Sequence, residues 1–354
     1  MTSFAGWQMP LRYASETTEH QTVRRAAGLF DLSHMGEIRV TGAGAGAALD
    51  YALVGQPSAM APGRARYTMI CAPDGGVLDD LVVYRQADQE YLVIANAANT
   101  GTVLGELVSR AGGYDAKVTD ATGDFALIAI QGPAAAGILA PLTEVDLETM
   151  KYYAGAFGEV AGRAAWVART GYTGEDGFEV YCRPSDAEHV WTALLERGGP
   201  DGTNPAGLIP AGLAARDTLR LEAGMPLYGN ELGPDLTPFE ANLGRVVKFG
   251  KPGDFVGREA LAARAAEGPR HVLTGLTIDS RRVPRHGYPV LVDGQPRGTV
   301  TSGAPSPTLG VPIALAYLDP GAAARHESTR LAVDIRGEAV PASVTELPFY
   351  RRRQ

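Results

Sequence analysis

The stretch "EIRVTGAGAGAALDY", residues 37–51, joins a strand pattern to a helix pattern through a run of glycines. The same order opens the dinucleotide-binding fold, in which the fingerprint G-x-G-x-x-G lets the backbone approach a pyrophosphate. Starting from Gly42 and Gly44, the third glycine would fall at position 47, which is Ala47. No regular alternation of strands and helices follows. The stretch therefore predicts a glycine- and alanine-rich helix entry rather than a dinucleotide site.

Strand patterns dominate the first half of the chain around this stretch. Short apolar runs bounded by Gly, Asp or Pro are typical of buried or half-buried strands. They are "GEIRV", "ARYTMIC", "LDDLVVYR", "EYLVIANA", "FALIAIQG", "AAWVART" and "FEVYC". Helix patterns cover residues 15–27, 185–196 and 210–222, where Ser185 and Glu188 have capping-box spacing and Pro210 suits a first turn. The predicted fold class is mixed α+β.

The pattern changes after a short helix that ends at Gly268 and Pro269. The remaining apolar runs are strands alone: "VLTGLTI", "YPVLVDGQPRGTVTSG", "PIALAYL", "LAVDI" and "VPASVTEL". Asp293-Gly294 is typical of a two-residue hairpin turn. We therefore predict a major boundary near residue 268, followed by a small antiparallel β-barrel or sandwich over residues 268–354.

Composition narrows the functional classes. A chain of 354 residues with 45% apolar and 20% charged residues is expected to fold into two or more packed units. The net charge of −8 disfavours nonspecific nucleic-acid binding, which relies on clustered Lys and Arg. We find neither a membrane-span pattern nor a signal peptide, so we expect a cytoplasmic protein without a membrane partner. Cys71 and Cys182 match no metal or disulfide pattern and are expected to be reduced and buried.

Familiar catalytic motifs are missing from the sequence. The six histidines show no HExxH spacing, and there is no GxSxG elbow or Walker lysine, so metal, serine-hydrolase and NTP chemistry are disfavoured. What stands out instead is Asp79 and Asp80, adjacent carboxylates in the strand "LDDLVVYR". Because successive strand side chains point to opposite faces, only one of them can face a given pocket. We expect the other to be solvated or to serve a turn.

Long blocks of the sequence resemble one known family. They are "FAGWQMPLRY", "GLFDLSHMGEI", "GGVLDDLVVY", "LIAIQGP", "RTGYTGEDGFEVY", "GLAARDTLRLEAGMPLYGNEL" and "TSGAPSPTLG". In collinear order over nearly the whole chain, they resemble the aminomethyltransferase, or T-protein, family of the glycine cleavage system. The resemblance implies three lobes around a central folate cavity: two interleaved lobes over residues 1–267 and a C-terminal barrel.

The resemblance also implies an activity and its partners. An aminomethyl group on the lipoyl arm of H-protein would be transferred to the co-substrate tetrahydrofolate, giving ammonia, methylenetetrahydrofolate and dihydrolipoyl H-protein. No metal is implied. One departure is Arg245, which stands where the family often has tryptophan, so charge attraction is expected to replace ring packing near the folate tail.

Site residues follow from the same resemblance, residue by residue. Asp80 matches the essential carboxylate, and Glu179 matches the acid that accepts hydrogen bonds from the donor-rich pterin edge. The remaining positions would line the pterin ring or meet the carboxylates of the folate tail. They are Met35, Tyr67, Asn96 and Tyr172 for the ring region, and Arg216 and Arg285 for the tail.

Two other interpretations remain open. The first is another folate-dependent demethylase or one-carbon transferase of the same superfamily. The second is a noncatalytic folate-binding protein, which would keep the pterin pocket but would not need Asp80. Release of ammonia from aminomethylated H-protein distinguishes the main interpretation from both.

Overall fold

A computed structural model describes residues 1–199, 207–323 and 331–352 of the protein. Two compact units divide the chain. The first comprises Met1–Ile70, Leu78–Arg216 and Gly250–Val256, and the second comprises Cys71–Val77, Asp217–Phe249 and Gly257–Gln354. In the described part of the chain, no helix is long and apolar enough to cross a membrane.

The predicted strands of the first half are all present. Numbered in chain order, the strands up to residue 210 are β1 Thr2–Phe4, β2 Trp7–Met9, β3 Ala27–Asp31, β4 Gly36–Thr41, β5 Arg64–Cys71, β6 Val77–Ala87, β7 Glu90–Ala95, β8 Lys117–Asp120, β9 Ala126–Gln131, β10 Gly155–Val160, β11 Arg163–Ala168, β12 Gly177–Cys182 and β13 Leu208–Pro210. They form a five-stranded sheet in the order β5-β6-β7-β4-β8, a six-stranded sheet in the order β10-β11-β12-β9-β3-β13, and the hairpin β1-β2.

Helices cover one face of each large sheet. The helices of the chain are α1 Glu16–Arg25, α2 Ala45–Ala52, α3 Thr100–Ala111, α4 Ala135–Leu139, α5 Ala187–Gly198, α6 Leu213–Glu222, α7 Arg258–Glu267 and α8 Pro320–Ala323. The apolar side chains of α2 and α3 pack with one face of the five-stranded sheet, and those of α4 and α5 pack with one face of the six-stranded sheet. The stretch at residues 37–51 is a strand followed by a helix, as predicted, and β4 has only antiparallel neighbours.

The uncovered faces of the two sheets meet inside the first unit. Alternation along β6 turns Leu81 and Val83 toward the α2–α3 core and Tyr84 toward the other face. The Tyr84 hydroxyl lies 2.7 Å from Thr170 Oγ1 and donates to Glu179 Oε2 of β12 at 3.1 Å. Polar groups therefore occupy the layer between the two sheets.

Two predicted helix starts are wrong. Helix α5 begins at Ala187 with Asp186 as the N-cap, because Pro184–Asp186 forms a 3-10 turn before it, so Ser185 does not cap the helix. Pro210 ends strand β13 instead of opening α6. Strand β13 is an edge strand, and the edge of a sheet tolerates proline because proline has no N–H to donate.

The strands after residue 270 form a closed barrel, as predicted. They are β14 Val272–Ile278, β15 Pro289–Val292, β16 Gln295–Pro305, β17 Pro312–Leu318, β18 Leu331–Ile335 and β19 Glu338–Thr345, in the closed order β14-β17-β16-β15-β18-β19. Asp293 and Gly294 have φ values of 50° and 78°, which is the left-handed backbone that a tight hairpin between β15 and β16 requires. The barrel encloses its own apolar core, and the α+β class with a C-terminal barrel is confirmed.

Candidate functional site

Asp80 lies where three neighbouring strands bring polar side chains together. Strand register places Gly36 of β4 opposite Ala95 of β7, and Val82 of β6 opposite Ile94. Continuing that register brings Asn96, just after β7, beside Asp80, and its Nδ2 donates to Asp80 Oδ1 at 2.8 Å. Met35 immediately precedes β4. The sheet thus brings Asp80 and Asn96 together, two of the predicted site residues.

Two donors fix the carboxylate of Asp80. Tyr67 of β5 donates its hydroxyl proton to Asp80 Oδ2 at 3.0 Å, while Asn96 holds Oδ1. Burial raises the pKa of Asp80, and the hydrogen bonds from Tyr67 and Asn96 act in the opposite direction. The pKa of Tyr67 is raised well above its ordinary value, mainly by burial and by the charge of Asp80, so the phenol remains a donor. The carboxylate is therefore held with both oxygens engaged.

Asp79 is not solvated, but it does serve a turn, because it accepts hydrogen bonds at both ends of the 3-10 turn Ala97–Asn99 that follows β7. Its side chain points to the opposite face from Asp80, as alternation requires, but that face is covered by helices and Asp79 is 0% exposed. Its carboxylate accepts hydrogen bonds from the Asn96 backbone N–H at 2.9 Å, from Asn96 Nδ2 at 2.8 Å and from Asn99 Nδ2 at 2.7 Å. Burial first, and then the charge of Asp80, raise the pKa of Asp79 to about 7.

A second polar cluster surrounds Glu179 on the facing sheet. Glu179 Oε2 accepts hydrogen bonds from Thr170 Oγ1 at 2.6 Å, from the Tyr84 hydroxyl at 3.1 Å and from the Tyr181 hydroxyl at 3.2 Å. Burial, followed by the charge of Glu179, raises the pKa values of both tyrosines well above the ordinary value. The Oε2 atom of Glu179 is thus fully occupied by hydrogen bonds from protein groups.

The loop before β12 is positioned by a buried glutamine. Gln131 of β9 donates from Nε2 to the Thr170 carbonyl at 3.0 Å, and its Oε1 accepts from Thr173 Oγ1 at 3.1 Å. Gly171 approaches this amide so closely that a Cβ there would lie 2.0 Å from Gln131 Oε1. This packing fixes the position of Tyr172, whose ring lies 4.8 Å from the guanidinium carbon of Arg216.

A small cavity is lined in part by residues that were predicted to belong to the site. Its lining residues come from β3, β9, β12, α6 and the loops next to them, and they are Phe30, Leu32, Ala129, Gln131, Gly171, Tyr172, Thr173, Glu179 and Arg216. Tyr172, Glu179 and Arg216 therefore share one cavity. Met35, Tyr67, Asp80 and Asn96 lie in the same unit, whereas Arg285 is an exposed residue of the second unit.

Several side chains of the site were not found from the sequence. Tyr84, Thr170 and Tyr181 all reach Glu179. Tyr153 has a left-handed backbone with φ of 58°, and the charges of Glu179 and Asp80 are among the causes that raise its pKa, after burial and Tyr152. Only Tyr84 and Tyr181 carried a usable signal, because they share strand faces with Asp80 and Glu179 respectively. Contacts such as that of Thr170 depend on how the two sheets pack.

Fold and site together define an α+β protein with carboxylates enclosed between two sheets and with a C-terminal barrel. The family model described as "GCVT N-terminal domain" matches residues 1–251, and the model described as "Glycine cleavage T-protein C-terminal barrel domain" matches residues 271–351. The chain belongs to the glycine cleavage T-protein family.

Related proteins match this chain over nearly its whole length. An aminomethyltransferase of Streptomyces avermitilis is 62% identical over 357 aligned residues, covering 100% of this chain and 94% of the relative. An aminomethyltransferase of Bacillus subtilis is 43% identical, covering 99% and 94%. The crystal structure of glycine cleavage system aminomethyltransferase T from Bartonella henselae matches with a TM-score of 0.91 at 34% identity, covering 99% and 94%. The predicted family and enzyme class are confirmed, and aminomethyl transfer is the activity of this chain.

Proposed function

We propose that the space between the two sheets binds tetrahydrofolate and that Asp80 is the catalytic carboxylate of the transfer. The observation that carries the proposal is the position of Asp80. It is an acid on the inner face of its sheet, and Tyr67 and Asn96 fix both of its oxygens. Glu179 stands on the facing sheet, and the two sheets are linked by Tyr84.

The pterin ring is assigned to Glu179. Glu179 Oε2 is occupied by three protein donors, which leaves Oε1 to accept from the donor-rich edge of a pterin. Met35, Tyr67, Asn96 and Tyr172 would line the ring region, and Arg216 and Arg285 would attract the carboxylates of the tail. The stacking of Arg216 on Tyr172 supports its assignment, because it pre-orients the guanidinium beside the cavity.

The proposed reaction takes its carbon from the lipoyl arm of H-protein. The carbon–sulfur and carbon–nitrogen bonds of the aminomethyl group break, and two bonds form from that carbon to nitrogens of tetrahydrofolate. The two protons lost by those nitrogens leave with ammonia and with the lipoyl thiol. Positive charge develops on the carbon as each leaving group departs, and a fixed carboxylate stabilises such charge without reorganising. Asp80 is also suited to relay a proton.

Two substitutions separate the chemical step from binding. Asp80→Asn keeps the size but removes the charge, so we expect turnover to fall about 10²–10⁴-fold with folate affinity changed much less. Glu179→Ala should instead weaken folate binding by about 1–3 kcal/mol, because pterin donors are left without an acceptor. Steady-state rates with aminomethylated H-protein, and calorimetric titration with folate, measure the two effects. Near-normal turnover in Asp80→Asn would remove Asp80 from the mechanism.

A further inference from the structure

The amide of Asn96 is held between two carboxylates. Its Nδ2 donates to Asp79 Oδ1 and to Asp80 Oδ1, at 2.8 Å in both cases, and makes a longer contact of 3.2 Å to the backbone carbonyl of Asp80. A side-chain amide has two N–H protons, so the two acids together determine which way its NH₂ group faces. The carbonyl oxygen of Asn96 must then point away from the carboxylates. Asn96 thus connects the buried Asp79 to the proposed catalytic Asp80.

Asp79 anchors this amide more firmly than a single contact would. Its Oδ2 accepts from the backbone N–H of Asn96 at 2.9 Å, so one carboxylate holds both the main chain and the side chain of that residue. The other donor to Asp79 is Asn99 Nδ2 at 2.7 Å. Asp79 is fully buried beneath the helices that cover its face of the sheet, and the adjacent charge of Asp80 adds to the cost of ionising it.

We propose that Asp79 is a positioning residue that acts through Asn96, orienting the amide that holds the carboxylate of Asp80. This inference rests on the proposed function, because it assigns Asp79 a role in the step that Asp80 performs. Loss of the Asp79 carboxylate removes the acceptor that fixes both the main chain and the side chain of Asn96. The amide can then shift relative to Asp80, so the bond from Nδ2 to Asp80 Oδ1 is no longer held in one geometry, although Asp80 itself is unchanged.

Asp79→Asn tests this role, with Asn99→Ala as the matched control. The control removes one hydrogen bond of Asp79 but leaves both bonds to Asn96 in place. We expect Asp79→Asn to lower kcat about 10–100-fold with KM for folate within about threefold, because positioning acts on the transition state rather than on binding. Asn99→Ala should keep kcat within about twofold even where its unfolding midpoint falls. Equal kcat values in the two variants would overturn the proposal.

A double-mutant cycle tests whether the effect passes through Asn96. Asn96→Ala removes the connecting amide, so adding Asp79→Asn to it should lower kcat by no more than about twofold further. Additive losses would contradict the proposed route. If Asp79→Asn does not yield folded protein, Asp79→Glu replaces it, because it keeps the charge but displaces the carboxylate by one methylene. A folded Asp79→Glu variant with normal kcat would equally overturn the proposal.

Asp80→Asn, assayed beside these variants, distinguishes a failure of the positioning role of Asp79 from a failure of the catalytic role of Asp80. Normal turnover in Asp80→Asn removes the catalytic assignment itself. Lost turnover in Asp80→Asn together with unchanged kcat in Asp79→Asn contradicts only the role of Asp79.

Discussion

Glu37 carries a buried carboxyl group for which no hydrogen-bond partner is found within residues 1–199, 207–323 and 331–352. It is 1% exposed and lies on β4, opposite Ile94 of β7. Burial, followed by the charges of Asp120 and Glu179, raises its pKa to about 9. The side chain is therefore a neutral acid at neutral pH, and the charge of Glu179 contributes to keeping it protonated.

This raised pKa predicts a stability effect with a defined sign. The unfolded chain releases the Glu37 proton near its ordinary pKa of 4.5 while the folded chain retains it, so this group makes folding less favourable as pH rises from about 4.5 to about 9. Glu37→Gln keeps the shape and removes the titration. We expect it to raise the free energy of unfolding, with the gain growing with pH and reaching about 3 kcal/mol near pH 7.

Urea unfolding of both proteins between pH 5 and pH 9 measures this gain. The exposed Glu90 of the neighbouring strand β7 supplies the control, because Glu90→Gln should change stability little at any pH. A constant difference between Glu37→Gln and the parent protein across this range would show that Glu37 is not a buried neutral acid.

At the scale of elements, the loop before β12 is held by the contact between Gly171 and Gln131. A Cβ at Gly171 would lie 2.0 Å from Oε1 of Gln131, a 2%-exposed side chain that is hydrogen-bonded at both ends of its amide. Gly171→Ala must therefore displace either the Gln131 amide, which holds the loop, or the loop that carries Tyr172. We expect at least about tenfold weaker folate binding, since a displacement of this size misplaces groups of the proposed site.

Calorimetric titration with folate checks this expectation against Gly101→Ala. Gly101 lies in α3, and a Cβ there would meet nothing within 4 Å, so this variant should bind folate as the parent does. Unchanged affinity in Gly171→Ala would mean that the loop does not position the folate site.

Some features of the strands and helices could be predicted from the sequence, and others could not. Periodicity predicted the strands and the barrel, because alternation of polar and apolar side chains is a local property. It also placed Asp80 on the opposite face from Asp79. It could not show that α2 and α3 bury the face of Asp79, since that burial depends on packing between elements distant in sequence. The capping-box pattern at Ser185 was wrong for a local reason, because a 3-10 turn moved the N-cap to Asp186.

Across the whole molecule, the resemblance supplied what periodicity could not. The roles of Glu179 and Arg216 came from matched motifs, and the shared cavity of these residues with Tyr172 is consistent with that assignment. The boundary near residue 268 stays a prediction. Residues 252–270 lie between the two family matches, and the two compact units each draw on several separate segments of the chain.

We propose that this chain transfers an aminomethyl carbon from H-protein to tetrahydrofolate. The most direct measurement mixes the protein with tetrahydrofolate and aminomethylated lipoyl H-protein and follows ammonia and methylenetetrahydrofolate together. We expect both products to appear at the same rate in a one-to-one ratio, to require H-protein, and to fall together in Asp80→Asn. Folate binding without either product, or methylenetetrahydrofolate formed without ammonia, would contradict the proposed transfer.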